Sequence, residues 1–242
     1  MHALTFARSS CGHRLSGLMA VVMAACLLPL QIAPASAQEI TTRLQILHAG
    51  PDTGKVEVHL NGEEVADEFE YGDTTDWIEV EPGSVRVTIT ADRAGFNYAI
   101  LDTVYPVPAG NDYYAVISDP LLLGGAFDTA SAPGDASRVQ FTQASVDTPA
   151  VNVVVTGENL ELATALQFSR TSESAPLRAG TYDIEVTLAD SGESVLTKSG
   201  VVFEPGKSYQ VILVGTPGDE DHPLDIVLLS TDLSAEEAAA AS

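Results

Sequence analysis

Few residues in this chain are of types that do chemistry, and they are scattered. His48 stands beside a Gly50-Pro51-Asp52 turn, where an imidazole could bind a metal or move a proton. A metal site needs partners, and beyond residue 37 the only histidines are His48, His59 and His222. The expected role of His48 is therefore structural, its ring bonded to backbone at the turn. Asp52 and Asp147 occupy matching places in two similar stretches and are read as side chains that accept backbone N–H bonds in Asx-type turns. No D-x-D-x-D-G spacing accompanies either one. Asp219-Glu220-Asp221, followed by His222, is an acidic loop that could hold a cation weakly or stand as a solvated hairpin tip.

Phe69, Tyr71 and Trp77 could stack against a sugar ring or pack at the rim of a core. Gly200 to Ser208, GVVFEPGKS, imitates a phosphate-binding loop, but five residues separate its glycines and a strand pattern follows where a helix must start. No G-x-S-x-G, H-E-x-x-H or kinase set occurs. No nucleophile–base pair recurs between the similar stretches. The chain is not expected to be an enzyme, and no catalytic residue or cofactor is assigned.

The elements that must position these residues are duplicated. Residues 43–62, RLQILHAGPDTGKVEVHLNG, recur as residues 138–157, RVQFTQASVDTPAVNVVVTG, with eight of twenty positions identical at an offset of 95. Pro82-Gly83 recurs as Ala179-Gly180, and Ala109-Gly110 as Pro205-Gly206. Such a period marks an internal repeat. Both copies read as strands. Residues 56–60 and 85–89 alternate apolar with polar side chains, the pattern of a half-buried strand. Asn61-Gly62 supplies a hairpin turn. With 44–49, 77–80, 99–104 and 113–117 the first copy holds about seven strands, the less regular residues 121–123 included. The second copy repeats the scheme over 139–142, 151–155, 182–188, 194–203 and 209–214, and adds 224–229. No helical period with caps appears. The expected fold is all-β: two tandem antiparallel β-sandwich domains, immunoglobulin-like or transthyretin-like.

At this point the chain resembles a known family. The H-A-G-P-D of His48 to Asp52, V-E-V-H-L-N-G at 56–62, R-A-G-T-Y-D-I at 178–184 and P-G-K-S-Y-Q-V at 205–211 are similar to the domain of unknown function 4397 family. The resemblance covers both copies. It implies an exported bacterial protein of tandem β-rich units, and it assigns no catalytic residues. The second copy departs from the family pattern at Gln143 and Val146, where His and Pro are usual, so no function is rested on the histidine.

Compartment and partners follow from composition. Residues 1–14 carry Arg8, His13 and Arg14 and no acid, residues 15–32 are almost wholly apolar, and Ala35-Ser36-Ala37 follows. This is the pattern of a secretory signal peptide cut after Ala37. The alternatives are an uncleaved anchor and a lipoprotein lipidated at Cys26. Cut after Ala37, the chain loses both cysteines, Cys11 and Cys26, and with them any disulfide. It then carries 34 acids against nine Lys and Arg, a net charge of −25. That charge repels nucleic acid and anionic membranes. The organisation expected is a signal peptide (1–37), a first sandwich (38–128), a linker (129–137) within the small-residue stretch 124–137, a second sandwich (138–232) and a flexible tail (233–242). Each sandwich is expected to fold by itself. The expected function is that of an exported, non-enzymatic envelope or extracellular protein, structural, adhesive or ligand-presenting. The alternative is a carbohydrate- or cation-binding module. Cell-surface polysaccharide or another envelope protein is the expected partner, with no membrane span in the mature form.

Overall fold

Alternating side chains set the first strands. In β1 (Thr42–His48) Leu44, Ile46 and His48 point to one face, and in β2 (Val56–Leu60) Val56, Val58 and Leu60 do the same. The computed structural model describes residues 41–93, 96–118, 121–158 and 160–233. Residues 1–37, read as a signal peptide, and the tail from 234 onward lie outside the described residues. The first repeat continues with β3 (Glu63–Phe69), β4 (Ile78–Val80), β5 (Gly83–Arg93), β6 (Phe96–Val107), β7 (Asp112–Ser118) and β8 (Leu121–Ala126). The second holds β9 (Ala136–Gln143), β10 (Val151–Thr156), β11 (Leu160–Leu166), β12 (Ala175–Arg178), β13 (Gly180–Leu188), β14 (Ser194–Phe203), β15 (Lys207–Val214) and β16 (Asp225–Asp232). The protein is all-β, and among the described residues no helix is long and apolar enough to cross a membrane.

Each repeat is a sandwich of two four-stranded sheets, ordered β3-β2-β5-β6 over β4-β1-β7-β8 and β11-β10-β13-β14 over β12-β9-β15-β16. The expected antiparallel pairing holds with one exception per repeat: β1 runs parallel to β7, and β9 to β15. These strands open and nearly close their repeat, so no tight hairpin forces them antiparallel. Leu44, Ile46, Val58, Val87 and Ile89 fill the first core, and Phe141, Val153, Ile184, Phe203 and Val211 fill the second.

Three strands escaped the sequence reading: β3, β11 and β12. In β3, EEVADEF, four acids hide the alternation, and Glu68 at φ 46° interrupts it with a bulge. Ala165 at φ 47° does the same in β11. The stretch read as a linker is also more ordered than its composition suggests. Residues 124–126 belong to β8, β9 starts at Ala136, and Phe127 between them is buried. Arg138 holds the connection by donating to the Ala130 and Ser131 carbonyls (2.9 and 3.1 Å) and to Asp128 (3.1 Å).

Contacts group the two repeats as one unit, because a third apolar core joins them. In β7 every residue is buried, and in β15 every residue after Lys207 is. Tyr113, Ala115 and Ile117 face the first sandwich core, while Tyr114 and Val116 face the second repeat. Ile212 and Val214 meet them from β15, with Leu47, Phe127, Ala144 and Leu229 around them. The stack is four sheets deep, and its two middle sheets are covered on both faces.

Candidate functional site

His48 ends β1 fully buried, and its ring is used up by backbone. Gly50 N–H donates to Nδ1 (3.2 Å), so Nε2 carries the proton and meets the Gly54 carbonyl at 2.8 Å. Gln143, its counterpart at the end of β9, braces its own loop with an amide, by one bond to the matching residue and one to the residue before the match. Its Oε1 accepts from Ser145 N–H (2.7 Å) and its Nε2 donates to the Thr148 carbonyl (3.0 Å). The exchange that made the histidine look dispensable is an isosteric swap of one brace for another, across the loop leading to the next strand. Neither side chain is placed to serve a substrate.

The loop tips carry Asp52 and Asp147, both exposed. The expected Asx turn is not what closes them. Thr53 N–H donates to the Gly50 carbonyl and Thr148 N–H to the Ser145 carbonyl, each at 3.4 Å, which leaves both carboxylates turned to water. In the second repeat the Ser145 hydroxyl adds a bond to the Gly215 carbonyl (2.5 Å).

The acidic loop is an Asx turn of the kind expected elsewhere. Asp219 accepts from Asp221 N–H (2.8 Å) and His222 N–H (3.0 Å), and these bonds hold its carboxyl below the usual range. Glu220 and Asp221 are exposed. Among the described residues no three His, Cys, Asp or Glu side chains converge as a metal would require. The glycine-rich 200–208 stretch is strand, turn and strand, from β14 into β15, with Lys207 paired to Asp232 (2.8 Å).

Tyr71 and Trp77 do not form a common flat platform with Phe69, which is buried in the first core. Both lie in the connection from β3 to β4 and turn toward the seam between the repeats. Tyr71 meets the His222 ring edge-on (4.7 Å between centroids, 70°). Burial, with Asp225 and Asp219 near, pushes its phenol up. Trp77 packs on Phe127 (5.7 Å) and lies under the Arg43 guanidinium (4.7 Å). The structure thus brings Tyr71 to the acidic loop and Trp77 to an ion pair, two contacts that sequence reasoning kept apart.

Polar ties cross the seam between its apolar patches. Arg43 and the Thr231 hydroxyl both bond Asp112. Tyr114 Oη lies 3.0 Å from Thr142 Oγ1, which Gln210 of the same repeat as Thr142 supports by donating to it (2.6 Å), and 3.1 Å from Thr171 Oγ1, and Ser118 donates to the Ala144 carbonyl (2.9 Å). Both members of equivalent pairs meet there: Ala49 with Ala144, Val116 with Ile212, Leu123 with Val227. One face of the repeat is used twice, against itself, as in an isologous dimer interface. The seam had a sequence signal. The unbroken apolar runs YYAVI at 113–117 and VILV at 211–214 lack the alternation that one covered face produces.

Fold and seam together define a tandem β-sandwich protein whose repeats pair through a common face. The chain belongs to the family described as domain of unknown function 4397, which matches it twice, over residues 42–154 and 137–242. The overlap of the two matches is β9 and most of β10, which open the second repeat. No curated protein matches the chain.

Proposed function

We propose that this is an exported, non-enzymatic envelope or extracellular protein whose paired repeats act as one rigid block, structural, adhesive or ligand-presenting in role. The observation that carries this reading is the seam. Domains joined by a bare linker reorient, whereas an apolar interface tied by buried hydroxyls fixes their spacing. Sheets β3-β2-β5-β6 and β11-β10-β13-β14 are then held on opposite sides of the stack as two outer faces at constant separation. The apolar segment at 15–32 and Ala35-Ser36-Ala37 support export, and a charge of −25 over residues 38–242 suits a solvated surface outside the cell.

Fractionation of the producing cell tests the reading. The protein is expected in the periplasm or medium with an intact mass starting at Gln38. The recovered material is expected to bind envelope polysaccharide or an envelope protein on an array. Recovery from the cytoplasm with residues 1–37 attached, or catalytic turnover by the purified protein, overturns it.

A further inference from the structure

We infer that the second repeat carries a groove, between edge strands β11 and β12, that docks an extended basic segment of a partner protein. This goes beyond the presentation role, which needs only the rigid pairing of the repeats. Two cavities lie in line along that side of the sandwich. One, of about 370 Å³, is bounded by Glu158 and Leu160 on one wall and Pro176 and Arg178 on the other. The next, of about 460 Å³, runs between Glu161, Thr164 and Leu166 on one wall and Thr171, Glu173 and Ser174 on the other. Buried Leu162 and Leu177 underlie them, and the buried Ser174 hydroxyl makes no hydrogen bond. A strand laid here pairs with backbone groups that no strand among the described residues covers, since β11 and β12 are each the last of their sheet.

The first repeat supplies the internal comparison. Its equivalent edge, β3, is EEVADEF, with acids at Glu63, Glu64, Asp67 and Glu68, and Lys55 is paired across to Glu70 (2.8 Å). Charge of that density guards an edge against neutral and acidic strands, and Lys55, paired with Glu68 and Glu70, already occupies the place a partner's base would take there. β11 is LELATAL, with one acid. The two strands share the same bulge, at Glu68 and Ala165, so the difference between them is chemical. One edge is guarded and the other is left able to pair.

Charge identifies the occupant. Glu158, Glu161 and Glu173 stand along the groove, with Asp135 at one end and Arg178 as the one base among its lining residues. A second copy would bring the same acids, on a body of charge −25 over residues 38–242, face to face with these. A basic extended segment pairs its main chain with β11 while alternate Lys or Arg side chains reach Glu161 and Glu173. No aromatic side chain lines either cavity, so a sugar would lack a stacking face.

The test uses the chain from Gln38 and a ten-residue peptide of alternating threonine and lysine, with its threonine–glutamate counterpart as control. Calorimetry at low salt is expected to show binding of the basic peptide only. Glu161→Lys with Glu173→Lys is expected to weaken it by about tenfold or more, while Glu63→Lys with Glu64→Lys on β3 leaves it unchanged. Amide exchange is expected to slow in β11. Equal weakening by both charge reversals means diffuse attraction and overturns the proposal. So does unaltered exchange in β11, or slowing there by a neutral oligosaccharide and not by the peptide.

Discussion

Replacing His48 by glutamine should destabilise the protein by no more than about 1 kcal/mol in urea unfolding, because Gln143 already braces the equivalent loop with two backbone bonds one repeat away. His48→Leu keeps the bulk and removes both bonds. It strands the Gly50 N–H and the Gly54 carbonyl, at a cost of about 1–3 kcal/mol for each group left unsatisfied. If leucine and glutamine behave alike, the ring is filler and not a brace. Tyrosine gives the second residue-scale prediction. Burial raises the phenols of Tyr105 and Tyr114 above their ordinary 10.0. A group whose folded value is raised contributes stability that is complete below the unfolded value and drains away above it. Melting temperature should therefore hold steady up to about pH 10 and fall between about pH 10 and 12. Tyr114→Phe should soften that fall, and a curve equally steep in the variant would remove Tyr114 from the account. Trp77, the single tryptophan, reports the change by fluorescence from the seam itself.

Gly124 lies in the middle of β8, opposite Ala115 of β7. Its φ is +154°, and a Cβ there would lie 2.2 Å from the Tyr114 carbonyl oxygen and 2.5 Å from Tyr105 Oη. The Tyr105 hydroxyl donates to that same carbonyl at 2.7 Å. Gly124→Ala should destabilise by more than about 1 kcal/mol, whereas Gly125→Ala, whose Cβ would meet only the Tyr114 ring at 3.5 Å or more, should cost less. Comparing the two denaturation midpoints checks this. Elements differed in how far their sequences disclosed them. β2 and β5 alternate cleanly and were legible. β3 was not, because an outermost strand is under no pressure to be apolar and its acids serve to keep other strands away. The role of His48 was legible from one residue and its turn. The fates of Tyr71 and Trp77 were not, since both depend on surfaces about 50 to 150 residues further along the chain, a range that no local pattern encodes.

Across the whole molecule, 34 acids face nine bases from residue 38 on, and folding concentrates a charge that the unfolded chain disperses. Raising sodium chloride from about 0.01 to 1 M shortens the screening length from roughly 30 to 3 Å. Relief of about 1 kcal/mol then lifts the melting temperature by about 2–4 °C for a unit of this size. A flat response over that range would show that repulsion does not limit stability. The sequence showed two domains and suggested independence. Each does have its own core, yet Tyr114, Val116, Ile212 and Val214 belong to a third core that both halves build together, so separation would expose that face to water.

That the repeats meet through one shared face imposes a parity on any chain built this way. Copies joined head to tail would each offer a fresh surface to the next, and the series could grow without limit. Here the second copy meets the first through that face, and the central strands β7 and β15 are buried along almost their whole length. Such units satisfy themselves two at a time, and an odd one would be left with its β1–β7 flank bare and prone to aggregate.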